Sequence, residues 1–240
     1  MSTAIDVPGS GIPTSDPVGD STPAGDSTTG VEPAGAGSAE AGRPVRITVI
    51  LGSVRDGRFL PTVADWFTER VAERAAGRGD VLVDRLDLAE VPLPLDMAAP
   101  DGGSSPEVGA ALAAAARRLA EADAFVVITP EYNHSFPAAL KNLVDWHFAE
   151  WQAKPVGFVS YGGVSGGLRA VEQLRTVFAE LHAVTIRRSV SFHHPWSWFD
   201  EAGRPSDPEG SAAAAAGMLD QLHWWASALR QARAETPYAA

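Results

Sequence analysis

The sequence predicts a doubly wound, three-layer α/β sandwich, and three observations carry that prediction. Beyond residue 44, five short β-like stretches alternate with helical patterns, without internal repeats. The first stretch, Val45-Arg46-Ile47-Thr48-Val49-Ile50-Leu51, is β-branched and almost continuously apolar, as a parallel strand covered on both faces must be. Three of the stretches run directly into polar loops, two of them glycine-bearing, at the edge where open α/β sheets bind their ligands.

The elements follow in order. After the first strand comes the loop Gly52-Ser53-Val54-Arg55-Asp56-Gly57-Arg58, then a helix over 60–76 with Val63, Trp66, Phe67, Arg70 and Val71 at helical spacing. A second strand over 81–86 alternates more strongly and belongs nearer an edge. Residues 88–105 are rich in Pro and Gly and read as a long loop before an Ala-rich helix over 106–122, with Pro106 just inside its start. The third strand, Ala124-Phe125-Val126-Val127-Ile128, leads into Thr129-Pro130-Glu131-Tyr132-Asn133-His134-Ser135, and Pro137 opens a helix over 137–146. A strand over 156–160, the loop Tyr161-Gly162-Gly163-Val164-Ser165-Gly166-Gly167, a helix over 168–182, a fifth strand over 184–190 and a last helix over 209–233 complete the pattern. Count and spacing fit the flavodoxin-like order 2-1-3-4-5, although alternation alone leaves strand order open.

Residues 1–44 are nearly all Gly, Ala, Ser, Thr, Pro and acids. Such a stretch has too few large apolar groups to offset the entropy of ordering, so a flexible acidic tail is expected there, with one domain over 45–240. The formal charge is −11, and both the tail and the remainder are acidic. This argues against nucleic acid and anionic membrane as partners, since both require clustered Lys and Arg. Neither a signal peptide nor an apolar run of membrane-spanning length stands out, so a cytoplasmic protein is expected. The absence of cysteine excludes disulfides, thiolate metal sites and cysteine nucleophiles, and leaves any redox chemistry to a bound cofactor. His193 and His194 are adjacent in an extended segment, where neighbours point oppositely, so no metal site is expected.

The three loops carry the chemistry. In the first, Gly52 permits a tight turn, the Ser53 hydroxyl and backbone N–H groups can donate, Arg55 and Arg58 add charge, and the next helix contributes its positive end, which together suit a phosphate. Taken alone, the same turn suits a plain solvated connection equally well. The second loop offers Pro130, Glu131, Tyr132 and Asn133 at the end of a buried strand. The third has four glycines around Val164 and Ser165, so its backbone can approach a flat ligand and present N–H groups to it. Their coincidence on one sheet edge is more specific than any one of them.

At these loops the sequence resembles the NADPH-dependent FMN reductase family, flavodoxin-like enzymes that include flavin, quinone, azo-dye and chromate reductases. The resemblance covers roughly residues 46–190, and its most specific part is Pro130-Glu131-Tyr132-Asn133 followed by Pro137 and Leu140-Lys141-Asn142. It implies that Ser53, Arg55 and Arg58 hold the phosphate of FMN. By the same resemblance, Pro130, Glu131, Tyr132 and Asn133 contact the ribityl chain and ring, while Gly162 and Gly163 face the pyrimidine end of the isoalloxazine. Phe59 departs from the pattern, standing where many relatives place a small polar residue. The tail and the segment Phe192-His193-His194-Pro195-Trp196-Ser197-Trp198-Phe199 lie outside the matched stretch.

The activity implied is an oxidoreductase in which NADPH or NADH reduces bound FMN and a small-molecule electron acceptor, such as a flavin or quinone, reoxidises it. The chemistry belongs to the cofactor, so no catalytic side chain is expected. An electron carrier or non-catalytic flavin-binding protein on the same scaffold is the alternative; against it, flavodoxins hold phosphate with a Thr-rich turn rather than an Arg-containing loop. The resemblance also implies a homodimer. Trp146, Phe148, Trp151, Trp196, Trp198 and Phe199 supply a physical motive, being more large apolar surface than the ends of a small sandwich readily hide.

Overall fold

The computed structural model describes residues 42–91, 93–95 and 105–239. Five parallel strands, β1 (Val45–Leu51), β2 (Val81–Asp87), β3 (Ala124–Pro130), β4 (Pro155–Gly162) and β5 (Val184–His193), form one sheet in the order β2-β1-β3-β4-β5. The helices are α1 (Leu60–Ala75), α2 (Pro106–Glu121), α3 (Ala138–Trp146), α4 (Leu168–Glu180), the single turn α5 (Pro195–Trp198) and α6 (Pro208–Glu235). The expected fold and strand order are those observed, with β2 at an edge. The expected tail lies outside the described residues as far as 41, as do 92 and 96–104 of the expected long loop.

Period-two alternation sorts each strand's side chains onto two faces. Ile47, Val49, Leu51, Val126, Ile128, Val159 and Val190 pack beneath α1 and α6. Ile50, Phe125, Val127, Val156 and Phe158 pack beneath α2, α3 and α4. Each large aliphatic side chain buried in this way stabilises the fold by about 1.5–3 kcal/mol, which is why the three central strands are predominantly apolar. The helices start where their sequence allows. The Ser105 hydroxyl accepts from the Val108 N–H ahead of Pro106, and Asp207 accepts from the Gly210 N–H at 2.9 Å ahead of Pro208.

Several boundaries differ from expectation. Pro137 is the N-cap of α3, not its first helical residue, and its carbonyl receives the Leu140 and Lys141 N–H groups. β5 runs on to His193 because a bulge sets Ile186, Arg187 and Arg188 opposite Gly157 alone, after which Tyr161 pairs with Phe192 and Gly162 with His193. The aromatic inventory divides. Trp151 is fully buried against Phe125 and Phe178, and its indole N–H donates to the His147 carbonyl at 2.8 Å. Phe192 and Phe199 pack on Trp66 and on each other in the opposite core. These side chains belong to the chain's own core, leaving Phe148, Trp196 and Trp198 as the exposed members of the set.

The start of the domain also carries a contact that composition hides. Arg43, inside the stretch expected to be tail, reaches Asp123 with both terminal nitrogens at 2.6 and 2.8 Å.

Candidate functional site

Register brings the loops to one level. Leu51 lies opposite Asp87 of β2 and Ile128 of β3, and Pro130 opposite Tyr161 of β4, so the connections after β1, β3 and β4 emerge side by side at the carboxyl edge. The chain reverses its direction of travel between β1 and β3, which is the switch point where such sheets hold ligands.

The loop after β1 begins with Gly52, whose N–H donates to the Ile128 carbonyl at 2.9 Å. A Cβ there would lie 3.3 Å from both that carbonyl oxygen and the Leu140 side chain, so glycine is what lets the turn press against β3. Ser53 is fully buried, with its hydroxyl 2.6 Å from the Tyr132 hydroxyl. Among the described residues nothing accepts from the backbone N–H groups of 53–57, and α1 begins without a side-chain cap because Phe59 occupies that position. Phe59 instead turns its ring against Tyr161 and Phe199. A row of open N–H donors leading into a helix N-terminus is the arrangement that receives an oxyanion.

The two arginines of this loop behave differently. Arg55 lies over the Tyr132 ring, its guanidinium carbon 3.8 Å from the centroid. Arg58 forms a two-pronged pair with Asp87 at 2.8 and 2.6 Å and donates to the Ser53 carbonyl. Its guanidinium is thus committed to β2 and to the loop's own backbone, and the hydrogen bonds to Asp87 raise its already high pKa.

The loop after β3 closes on itself. Tyr132 and Ser135 exchange backbone hydrogen bonds at 2.8 and 3.0 Å around Asn133 (φ 50°) and His134 (φ 71°), a two-residue turn with both central residues left-handed. Asn tolerates that conformation better than His, and Gln173 of α4 holds the strained residue by donating to the His134 carbonyl at 2.8 Å. Glu131 ties this loop to the next. Its carboxylate accepts from the Ser165 hydroxyl, from the Arg169 backbone N–H at 3.2 Å and from the Arg169 guanidinium at 3.1 Å. Burial is the largest single influence on Glu131 and favours the neutral acid, but the Ser165 and Arg169 donors together outweigh it and hold the carboxyl below its ordinary pKa.

The loop after β4 is shaped by glycine where no other residue fits. A Cβ on Gly167 (φ 85°) would lie 2.8 Å from Ser160 Cβ and 2.9 Å from the Tyr161 nitrogen. The Gly166 carbonyl receives the hydroxyls of Ser160 and Ser191 at 2.8 and 2.9 Å, and the His194 N–H donates to the Gly162 carbonyl at 2.7 Å. A Cβ on Gly162 would meet the Gly167 nitrogen at 3.1 Å, whereas one on Gly163 would find no atom closer than His194 Cε1 at 4.0 Å. Gly163 therefore faces open space beside the exposed Val164.

Every residue expected at the site stands on this edge, and five more belong with them: Asp87, Tyr161, Ser165, Arg169 and Gln173. Asp87 could have been found by asking which strand end neighbours the first loop once the order 2-1-3 is assumed. Arg169 and Gln173 are four apart on the helix after the glycine loop, a spacing that places both on the face toward the second loop.

A doubly wound α/β domain with an oxyanion nest, an aromatic-lined second loop and an open glycine backbone at its switch point defines a nucleotide-type cofactor-binding protein. The family model for NADPH-dependent FMN reductase matches residues 45–197, and the chain belongs to that family. The match extends past β5 and so takes in most of the 192–199 segment that the sequence resemblance left out. An NAD(P)H-dependent FMN reductase of Schizosaccharomyces pombe is 38% identical over 124 residues, 51% of this chain and 60% of that protein's length. A probable NADPH:quinone oxidoreductase of Oryza sativa is 30% identical over 173 residues, 70% of this chain and 82% of the relative. The solved flavoenzyme NAD(P)H:(acceptor) oxidoreductase of Paracoccus denitrificans shares the fold, with a TM-score of 0.60 at 21% identity, over 77% of this chain and 98% of that one.

Proposed function

We propose that this chain is an FMN-dependent NAD(P)H oxidoreductase that reduces a small-molecule acceptor, a flavin, quinone or similar compound. FMN, when bound, supplies the redox chemistry, accepting hydride from the nicotinamide and passing electrons to the acceptor. The observation that carries this reading is the row of exposed, unpartnered N–H groups over 54–57 beside Arg55, on the same edge as the Gly162 and Gly163 backbone.

The protein's part is to bind and orient. The first-loop N–H groups, Ser53 and Arg55 hold the FMN phosphate, where charge-assisted bonds are strongest. Arg58, through Asp87 and the Ser53 carbonyl, fixes the loop that does so and adds positive charge near the phosphate. Pro130, Tyr132 and Asn133 border the ribityl chain and ring. Glu131 holds their loop against the glycine loop, and Gly162 and Gly163 present backbone to the pyrimidine end. Backbone N–H groups there favour negative charge on a reduced ring, so no side chain need act as acid or base.

A homodimer joined through Phe148, Trp196 and Trp198, and a cytoplasmic location, complete the reading. The exposed aromatics are its support, and no described helix is long and apolar enough to cross a membrane. Steady-state assays with NADPH and NADH against flavin, quinone and azo acceptors test the activity. Turnover that saturates in both substrates and requires FMN supports it, and FMN binding without nicotinamide oxidation would favour the electron carrier.

A further inference from the structure

At the opposite edge of the sheet, where the strands begin, a cavity of about 420 Å³ opens between the start of β1, the end of α2, the approach to β4 and the end of α6. That volume lies within the range of small-molecule sites. Among the described residues, its walls carry Arg43, Arg46, Lys154, Arg230 and Arg233 against Glu121 and Asp123. An excess of cations is unexpected in a chain of formal charge −11.

The carboxylates are already engaged. Asp123, 2% exposed, accepts from the Arg46 backbone N–H at 2.9 Å and from Arg230 Nη1 at 3.3 Å, in addition to Arg43. Glu121 lies 3.5 Å from the Arg46 guanidinium. Lys154, 7% exposed, donates only to the Leu119 and Ala120 carbonyls, at 2.8 and 2.9 Å, and forms no ion pair among the described residues. Those carbonyls end α2, and a helix C-terminus attracts cations, but it offers about half a charge and uses two of the three ammonium N–H groups. A buried full charge calls for a full counter-charge. Burial, and after it the repulsion of Arg233, lowers the Lys154 pKa to about 8, against the opposing pull of Asp123 and Glu150.

We propose that this cavity binds a multivalent oxyanion of metabolite size, a phosphate or a pair of carboxylates, whose charge pairs with Lys154 and whose oxygens accept from Arg46 and Arg230. The site is separate from the carboxyl-edge loops and does not depend on the function proposed for them.

Calorimetric titration of the full-length, FMN-saturated protein with inorganic pyrophosphate, and separately with citrate, tests this. Saturable one-to-one binding of at least one probe is expected, and the tighter probe identifies phosphate or carboxylate as the recognised group. Lys154→Met should weaken it at least tenfold, with circular dichroism confirming the fold. Arg46→Ala, at a side chain 41% exposed, should weaken it several-fold without disturbing the core. Arg55→Ala, at the other edge, should leave it unchanged. Binding of neither probe, or binding indifferent to both Lys154→Met and Arg46→Ala, would overturn the proposal. Binding lost only in Arg55→Ala would place the anion on the loop after β1 and overturn it equally.

Discussion

Replacing Arg55 by Ala separates recognition of a phosphate from recognition of a flavin ring. The Arg55 side chain is exposed and stacks on Tyr132 with its guanidinium carbon 3.8 Å from the ring centroid, so its removal leaves no cavity and no orphaned buried carboxylate. Two losses are expected. A hydrogen bond to a doubly charged phosphate contributes about 1.5–3 kcal/mol, and an exposed cation–π contact about 0.5–1 kcal/mol. The first is lost only with FMN; the second loosens Tyr132 whichever flavin is bound. FMN, which loses both, should therefore bind roughly 30- to 800-fold more weakly, while riboflavin changes by about fivefold at most. Calorimetric titration of wild-type and variant protein with both ligands measures the difference directly. Equal losses for FMN and riboflavin would refute the phosphate assignment and leave Arg55 a support for Tyr132.

Arg58 should act on stability first: Arg58→Met leaves Asp87, at 12% side-chain exposure, without its pair, which costs about 1–3 kcal/mol, and the melting temperature should fall more than for Arg55→Ala. Asp87→Asn together with Arg58→Met should recover part of that loss, and no recovery would contradict the pairing. Glu131 is held in its ionised form, so its contribution is fully present above the ordinary glutamate pKa of about 4.3 and is lost as pH falls through its lower folded value. Urea titrations of wild type and Glu131→Gln should accordingly differ by about 1–3 kcal/mol above pH 5 and converge in more acidic buffer, whereas a gap that persisted would assign the difference to packing. A chain beginning at Gly42 should keep the full chain's melting temperature and FMN affinity. Removing Arg43 as well should lower the melting temperature, because the buried Asp123 loses a two-pronged partner; identical melting of both truncations would refute that contact.

The elements were legible because each is written in a local period. The almost continuously apolar, β-branched run of β1 reads as a strand covered on both faces, and Pro106 stands at the start of its helix as expected. Strand ends were less legible, since hydrogen bonds to a neighbour, not side-chain pattern, carry β5 on to His193. At the site, the loops announced themselves through Gly, Pro and polar residues after apolar runs, but the partners within them did not. Nothing local says that Arg58 turns to Asp87, 29 residues away, or that Glu131 is held by Arg169, 38 residues away. Both pairings depend on strand order and on which helix end faces which loop. The fate of the aromatics is likewise tertiary: Trp151 and Trp196 look alike in sequence, yet one fills the core and the other is 63% exposed.

The most direct test of the central claim is an anaerobic titration of the FMN-loaded protein with NADPH, followed in the flavin's visible absorbance. FMN should bind saturably at one site per chain, its absorbance should bleach on adding NADPH or NADH, and a quinone should restore it within the turnover time measured in steady state. Failure of the protein to bind FMN saturably, or a bound flavin that neither nicotinamide bleaches, would contradict the account.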